Sequence, residues 1–231
     1  MEAQSKEIRI ENYTFRAAAS PAERLAALRL RSLVYIEEGF VEPEDLDGEL
    51  LQDGFDQQSV MLVALDPEAR VVGTTRYVLP GRLGLPIDRL FDIEDPLLAK
   101  GVMGEFSRLA IDRLHRGGSR VVMLGLIAAV AQCAKEHGTD HFLAFLPVRL
   151  IEYFSSMGFY GRIPAFRPPN AQILRNRHLL RGYFAKAEVH PILYSRRATE
   201  DRLRVLLAER HEDLLASRAR LESPAEGAER R

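Results

Sequence analysis

Gly104-Glu-Phe-Ser-Arg-Leu-Ala-Ile-Asp112 sets two opposite charges, Glu105 and Arg108, three residues apart inside an apolar run. The run alternates loosely and lies between Gly101 and the pair Gly117-Gly118, which predicts a strand over 102–112. Burying a lone charge in a sheet is costly, whereas a guanidinium fork can hold a carboxylate in fixed geometry. A strand with both charges near its middle therefore reads as a structural ion pair at a sheet edge or as a working pair.

Working outward, 121–137 predicts a helix that stops at Gly138, 141–146 a strand, and 148–157 a short helix ended by Gly158. Phe159 to Gly161 predicts a brief extended piece, followed by a Pro-rich loop through Pro169. On the other side, 8–16 predicts a first strand. Ser20-Pro21-Ala22-Glu23 starts a helix with Ser as cap and Pro in the first turn, and the helix runs to Glu38 before Gly39. An acidic loop over 41–57 carries Glu42, Glu44, Asp45, Asp47 and Glu49 ahead of Asp53 and Asp56. Val60 to Leu65 and Val71 to Leu79 predict a β-hairpin, with Arg76 inside its second strand. Residues 80–100 predict irregular chain with a helical turn near 87–91. The alternation over 183–194 predicts a last strand, and 199–221 a helix with Leu203, Leu206, Leu207, Leu214 and Leu215 on one stripe.

Strands alternating with helices, plus one hairpin, predict an α/β (α+β) fold with a central mixed sheet flanked by helices and an extra C-terminal helix. The division expected is a main domain over 1–195, a helical arm over 196–222 and a frayed tail over 223–231. The arm packs either on its own domain or on a second subunit, which would make a homodimer.

Composition excludes several classes. A net charge of −1 over 231 residues argues against nucleic acid as a partner. No apolar run reaches the length of a membrane span, and Met1 to Glu7 lacks a secretory pattern. The single cysteine, Cys133, excludes an intrachain disulfide and fits a cytoplasmic location. It lies on the apolar face of Leu126 and Val130, as a small core residue does. The six histidines show no ligand spacing, so no metal site is expected.

The order Asp53-x-x-Asp56, strand Arg76 and Glu105-x-x-Arg108, preceded by Arg31-Ser-Leu-Val-Tyr-Ile-Glu-Glu-Gly-Phe40, resembles the acyl-homoserine-lactone synthases and the related N-acyl amino acid synthases. Both belong to the GNAT acyltransferase superfamily, and the resemblance covers Arg24 to Pro169. It implies the GNAT fold and transfer of an acyl group from a thioester to an amine, with no bound cofactor. Such a transfer needs a proton acceptor for the amine, a polarised carbonyl and two reactants held together. Glu105 is the expected base, with Arg108 orienting it or binding the acceptor. Asp53 and Asp56 are candidates for the acceptor amine, against a plain solvated acidic loop. Arg76 is expected to pair with one of them or to grip an acceptor carboxylate. The resemblance implies an oxyanion site on the strand backbone at Leu109 and Ala110. Glu37 and Glu38, at the unfavourable end of a helix dipole, are expected to find Arg31.

Two departures refine the reading. The run Arg113-Leu-His-Arg-Gly-Gly-Ser-Arg120 lacks the Gly spacing of a pyrophosphate loop. The donor expected is therefore the acyl-phosphopantetheine thioester of an acyl carrier protein rather than acyl-CoA, with Arg113, Arg116, Arg120 and Arg149 as the docking patch. The lactone synthases carry Trp where this chain has Phe40 and Gly104, and no Trp occurs anywhere. That favours an amino acid acceptor over S-adenosylmethionine. Met103, Phe106, Met123, Phe142 and Phe145 are expected to line the acyl pocket, with Leu126 and Phe154. The alternatives are a lactone synthase using S-adenosylmethionine and acyl carrier protein, and a non-catalytic acyl-binding regulatory module.

Overall fold

Met103–Ile111 is an inner strand of a seven-stranded sheet, so its charges do not sit at a sheet edge. The computed structural model describes residues 6–46, 48, 50–95, 103–117, 120–168 and 178–222, with side chains for all of these except 45, 178–181 and 213–222. The strands are β1 (Ile8–Ile10), β2 (Tyr13–Ala17), β3 (Ser59–Leu65), β4 (Val71–Val78), β5 (Asp92–Glu94), β6 (Met103–Ile111), β7 (His141–Pro147), β8 (Ala165–Arg167) and β9 (Val189–Ser195). The helices are α1 (Pro21–Glu37), α2 (Val121–Glu136), α3 (Val148–Ser156), α4 (His178–Lys186) and α5 (Arg196–Glu222). The main sheet runs β1-β2-β3-β4-β6-β7-β9, and β5 pairs with β8 in a separate ribbon. Every pair is antiparallel except β6 with β7.

Alternation along β3 decides what covers each face. Leu62 and Ala64 enter the cluster built on α2, whereas Met61, Val63 and Leu65 meet Ala27 of α1. The two helices therefore cover opposite faces. Helix α2 buries Val122, Leu126, Val130 and Ala134 among its twelve buried residues, at about 1.5–3 kcal/mol for each large aliphatic side chain. Helix α1 starts on Ser20, whose hydroxyl accepts the Glu23 N–H.

Two irregularities of β6 position the site. It pairs with β7 only at Met103↔His141, Gly104↔Phe142 and Glu105↔Leu143. Beyond these, β6 stays with β4 and β7 with β9, so the strands part and a wedge opens between them. Against β4, the register passes from Arg76↔Ser107 to Thr74↔Ala110, which inserts one extra residue in β6. Arg108 takes up this bulge in the left-handed region at φ 59°, a conformation with a cost of order 1–2 kcal/mol for a residue with a Cβ.

Several expectations need correction. The first strand is two, β1 and β2, folded on each other at Glu11. The piece 183–194 is not one strand: Tyr183 belongs to α4, and β9 starts at Val189. Tertiary packing overrides the local alternation there. Gly182 lies against the Gly39 and Phe40 carbonyls, Tyr183 meets Phe40 edge-on at 4.9 Å, and Lys186 Nζ donates to the Glu38 carbonyl at 2.9 Å. The β5–β8 ribbon was not legible in the irregular and Pro-rich stretches that hold it. The acidic loop holds 3₁₀ turns at Pro43–Asp45 and Gly54–Gln58. Helix α5 starts on its own chain: Leu203 is buried, with Leu206 and Leu207 packed on the same cluster as α2. Leu214, Leu215 and the tail lie outside what is described.

Candidate active site

Glu105 is fully buried on the α1 face of the sheet. Its Oε2 accepts the Ile87 N–H at 2.7 Å. That donor comes from a 3₁₀ turn, Pro86–Arg89, in which Asp88 Oδ2 accepts the Leu85 N–H at 2.8 Å. Oε1 has no hydrogen-bond partner among the described residues. Burial pushes the carboxyl up to about 8. Arg76, the Ile87 N–H and Arg108 oppose the rise, and Asp88 adds to it.

Glu105 and Arg108 do not pair with each other. Three residues apart on a regular strand, they would point to opposite faces. The bulge returns Arg108 to the Glu105 face, where its Nη2 donates to Asp53 Oδ2 at 3.2 Å and its guanidinium lies 5.6 Å from the Tyr35 ring of α1. Among the described residues, Arg108 Nη1 is buried without a partner.

Arg76 joins the two aspartates. It is 1% exposed, and its Nη1 lies 2.6 Å from Asp53 Oδ1 and 3.3 Å from Asp56 Oδ1. Its Nε donates to Ser107 Oγ at 3.2 Å. Asp53 and Asp56 bracket the Gly54–Gln58 turn in a capping box: Asp56 Oδ2 accepts the Asp53 N–H at 2.9 Å, and Asp53 Oδ1 the Phe55 N–H at 3.0 Å. All four carboxylate oxygens thus have partners. Burial raises the Asp53 pKa, but Arg76 and Arg108 outweigh it and hold the group far below the usual carboxylate range. Asp56 is held down in the same way by Arg31 and Arg76.

Arg31 is the residue that the sequence reading placed elsewhere. It does not serve Glu37 and Glu38. It is fully buried, and its Nη1 donates to Asp56 Oδ1 at 2.9 Å and to the Leu51 carbonyl at 3.3 Å. Nearby, Ser32 Oγ accepts the Leu51 N–H at 2.8 Å and ties this loop to α1. The signal lay in the helix period: Arg31 falls on the stripe of Ala27, Leu30 and Val34, where only a partnered arginine can be buried. Glu38 instead pairs with Arg116, and Glu37 lies 3.9 Å from it. Ile87, Tyr35 and Ser107 were also missed, since a backbone donor, a ring and a hydroxyl leave no charge pattern in the sequence.

The remaining candidates divide. Leu109 and Ala110 follow the bulge on the edge of β6 that has parted from β7. Arg113 and Arg120 are exposed, and Arg120 stands at the start of α2 with its guanidinium 5.2 Å from the Tyr153 ring. Arg116 also donates to the Ile111 carbonyl at 2.7 Å. Phe106 and Phe142 line an apolar cavity on the α2 face. Met123 packs in the same core, whereas Met103 and Phe145 belong to the cluster of Phe91 and Tyr183 on the other face. Cys133 is buried, and burial pushes its thiol up to about 12, so it is no nucleophile. Among the described residues no helix is long and apolar enough to cross a membrane.

Residues 26–170 match the family model described as N-acyl amino acid synthase FeeM, well over half of the chain. No curated protein sequence matches. Among solved structures, FeeM, an N-acyl amino acid synthase from uncultured soil microbes, is 16% identical, with a TM-score of 0.56 over 82% of this chain and 93% of that one. TofI, solved with an inhibitor and MTA, is 20% identical, with a TM-score of 0.57 over 83% and 96%. BjaI, a CoA-dependent acyl-homoserine lactone synthase solved with SAM and isopentyl-CoA, is 21% identical, with a TM-score of 0.52 over 78% and 80%. At such identities these likenesses show the fold, which is the GNAT acyltransferase fold. Together with the family match, they give the chain its place: it belongs to the FeeM family of N-acyl amino acid synthases and is an acyltransferase.

Proposed function

We propose that this chain moves a fatty acyl group from the phosphopantetheine thioester of an acyl carrier protein to the α-amine of an amino acid, by direct attack. The observation that carries this is the unpartnered Oε1 of Glu105, buried beside a cluster with one uncompensated positive charge. Three guanidinium groups, Arg31, Arg76 and Arg108, face two ionised aspartates, and Glu105 holds its proton at neutral pH. Such a site suits an acceptor that brings its own carboxylate. Arg108 Nη1 binds that carboxylate, while Arg76, Asp53, Asp56 and Arg31 fix the Arg108 fork. Asp53, the more exposed of the two aspartates, adds an anionic contact for the ammonium.

The acceptor ammonium beside Glu105 favours the ionised carboxylate, which takes a proton as the amine becomes nucleophilic. The nitrogen attacks the thioester carbon, and the developing oxyanion is held by the backbone N–H groups at Leu109 and Ala110, past the bulge. The C–S bond then breaks as the nitrogen gives its second proton to the departing thiolate, and Glu105 returns the first proton to solvent, for net release of one proton. The donor lies in the wedge between β6 and β7. Arg113, Arg120 and Arg149 are exposed, as is Leu114, and such groups suit an acidic carrier with an apolar contact.

The test is mass spectrometry of lipid extracts from cells expressing the protein, beside a Glu105→Ala control. Long-chain N-acyl amino acids present only with the wild type support the reading. Acyl-homoserine lactones, with release of methylthioadenosine, would replace it with a lactone synthase.

A further inference from the structure

Gln58 is the last residue of the 3₁₀ turn capped by Asp53, and its side-chain amide is engaged with a different segment. Its Nε2 donates to the Leu79 carbonyl at 2.8 Å and to the Gly84 carbonyl at 3.1 Å. Its Oε1 accepts the Leu83 N–H at 3.2 Å, and its backbone carbonyl accepts the Leu79 N–H at 3.0 Å. The amide therefore fastens the irregular stretch from the end of β4 to Gly84 at both ends. Gly81 leaves room for it: a Cβ there would come within 2.6 Å of Gln58 Cδ and Oε1.

The fastened stretch leads directly into Leu85 and the Pro86–Arg89 turn, whose Ile87 N–H donates to Glu105 Oε2. The turn of Gln58 also grips the far side of that donor. Phe55 shares a buried cluster with Leu85, Ile87 and Leu90, and the Arg89 guanidinium lies 4.5 Å from the Phe55 ring. Arg89 Nη2 returns to the Leu83 carbonyl at 3.3 Å. One short turn thus carries the aspartates that hold Arg76 and Arg108 and also the anchors of the N–H that meets Glu105. A hydrogen bond weakens steeply as its angle opens, so the aim of Ile87 depends on the chain before it being held.

We propose that Gln58 is a positioning residue for the base: by fastening residues 79–84 it aims the Ile87 N–H at Glu105 Oε2 and so governs how readily that carboxyl ionises. Its bearing on catalysis rests on the acyl transfer proposed above. A hydrogen bond donated to a carboxylate favours the ionised form, so loosening the stretch makes Glu105 hold its proton to higher pH. The charged groups that act on Glu105 are Arg76 on β4, Arg108 on β6 and Asp88 on the turn itself. Gln58 is uncharged, so its replacement leaves all three in place.

The experiment follows glutamate side-chain carboxyl signals of the isotope-labelled full chain by NMR across pH, with no substrate added. The signal missing from Glu105→Gln is that of Glu105. In Gln58→Met its midpoint should rise by about one pH unit. Gly81→Ala, which pushes the amide aside with Gln58 still present, should move it the same way. The Ile87 amide signal should follow Glu105 ionisation in the wild type and lose that response in both variants. A merely structural Gln58 would lower the melting temperature and leave the midpoint and the Ile87 response unchanged, and that result would overturn the proposal. If Gln58→Met does not melt cooperatively, Gly81→Ala decides. The pH dependence of acyl transfer is read in parallel. A midpoint that moves without the rate limb following it keeps Gln58 in its role and removes Glu105 as the base. Transfer with an unmoved midpoint keeps the acyltransfer reading and removes Gln58.

Discussion

Glu105 Oε2 accepts the Ile87 N–H at 2.7 Å, so one carboxyl oxygen is fixed while the other has no partner among the described residues. Glu105→Gln keeps that acceptor and removes only the titration. Turnover should fall about 10²- to 10⁴-fold, the usual worth of a positioned base. Wild-type kcat/KM should rise through about 8, the value of the buried carboxyl, and the variant should lose that limb. Stability moves the other way. Between the ordinary 4.5 and about 8, the folded chain holds a proton that the unfolded chain has released, so stability declines as pH rises across that window. Urea titrations at several pH values should show that decline in the wild type and a flatter profile in Glu105→Gln. Equal slopes would sink the assignment of a raised pKa to Glu105.

Gly104 leaves room for the Tyr77 ring. A Cβ at 104 would lie 2.2 Å from Tyr77 Cζ, and the Tyr77 hydroxyl is bonded to Thr139 Oγ1 at 2.6 Å. The tyrosine ring fills the space. Gly104→Ala should therefore cost about 1–3 kcal/mol by overpacking. Tyr77→Phe in the same background should not restore it, since the ring remains. Thermal melts of both variants check this.

The Arg31–Asp56 pair predicts a structural role separable from chemistry. Arg31→Met leaves Asp56 with Arg76 and the Asp53 N–H, and it relieves repulsion from Arg76 and Arg108. The loss should therefore be about 3 kcal/mol, at the low end for breaking a buried pair. Asp53→Asn should change acid sensitivity. Its carboxyl is depressed in the folded state, so its contribution is present above 3.8 and lost as pH falls through the folded value. The variant's stability should fall less on acidification than that of the wild type, by urea titration.

Periodicity carried much of the architecture. The hairpin of β3 and β4, the helices α1, α2 and α3, and the strand of Glu105 are legible because each buries one face. The spacing of charges, taken with the family resemblance, also marked Asp53, Asp56, Arg76, Glu105 and Arg108 as candidates. The expected pairing of Arg76 with the aspartates is met, but the spacing could not show which partner Arg108 takes. That depends on one extra residue in β6, and Arg108 in a left-handed conformation has no signature of its own. Arg31 was readable from its stripe but was assigned to the nearest acids in sequence, whereas burial tied it to a loop 25 residues away. Ribbon β5–β8 and helix α4 are set by contacts distant in sequence, which no local pattern records.

The proposed carrier-protein donor rests on the exposed charges of Arg113, Arg120 and Arg149. A carrier protein reads these charges from outside, whereas CoA needs phosphate donors at a helix start. Here α2 begins at Arg120 in a left-handed conformation with no side-chain cap. Arg116 is already engaged with Glu38 and the Ile111 carbonyl, so it has less to offer a carrier. Reversing Arg113 and Arg120 to Glu should raise KM for acyl carrier protein about tenfold or more, steeply at low salt, with kcat nearly unchanged. The same change should leave acyl-CoA turnover within about twofold, because exposed charges far from the thioester add little to a small donor. Arg116→Glu should instead lower the melting temperature through loss of its contacts with α1. If acyl-CoA turnover collapsed alongside that of the carrier, the arginines would be phosphate ligands and the donor assignment would reverse.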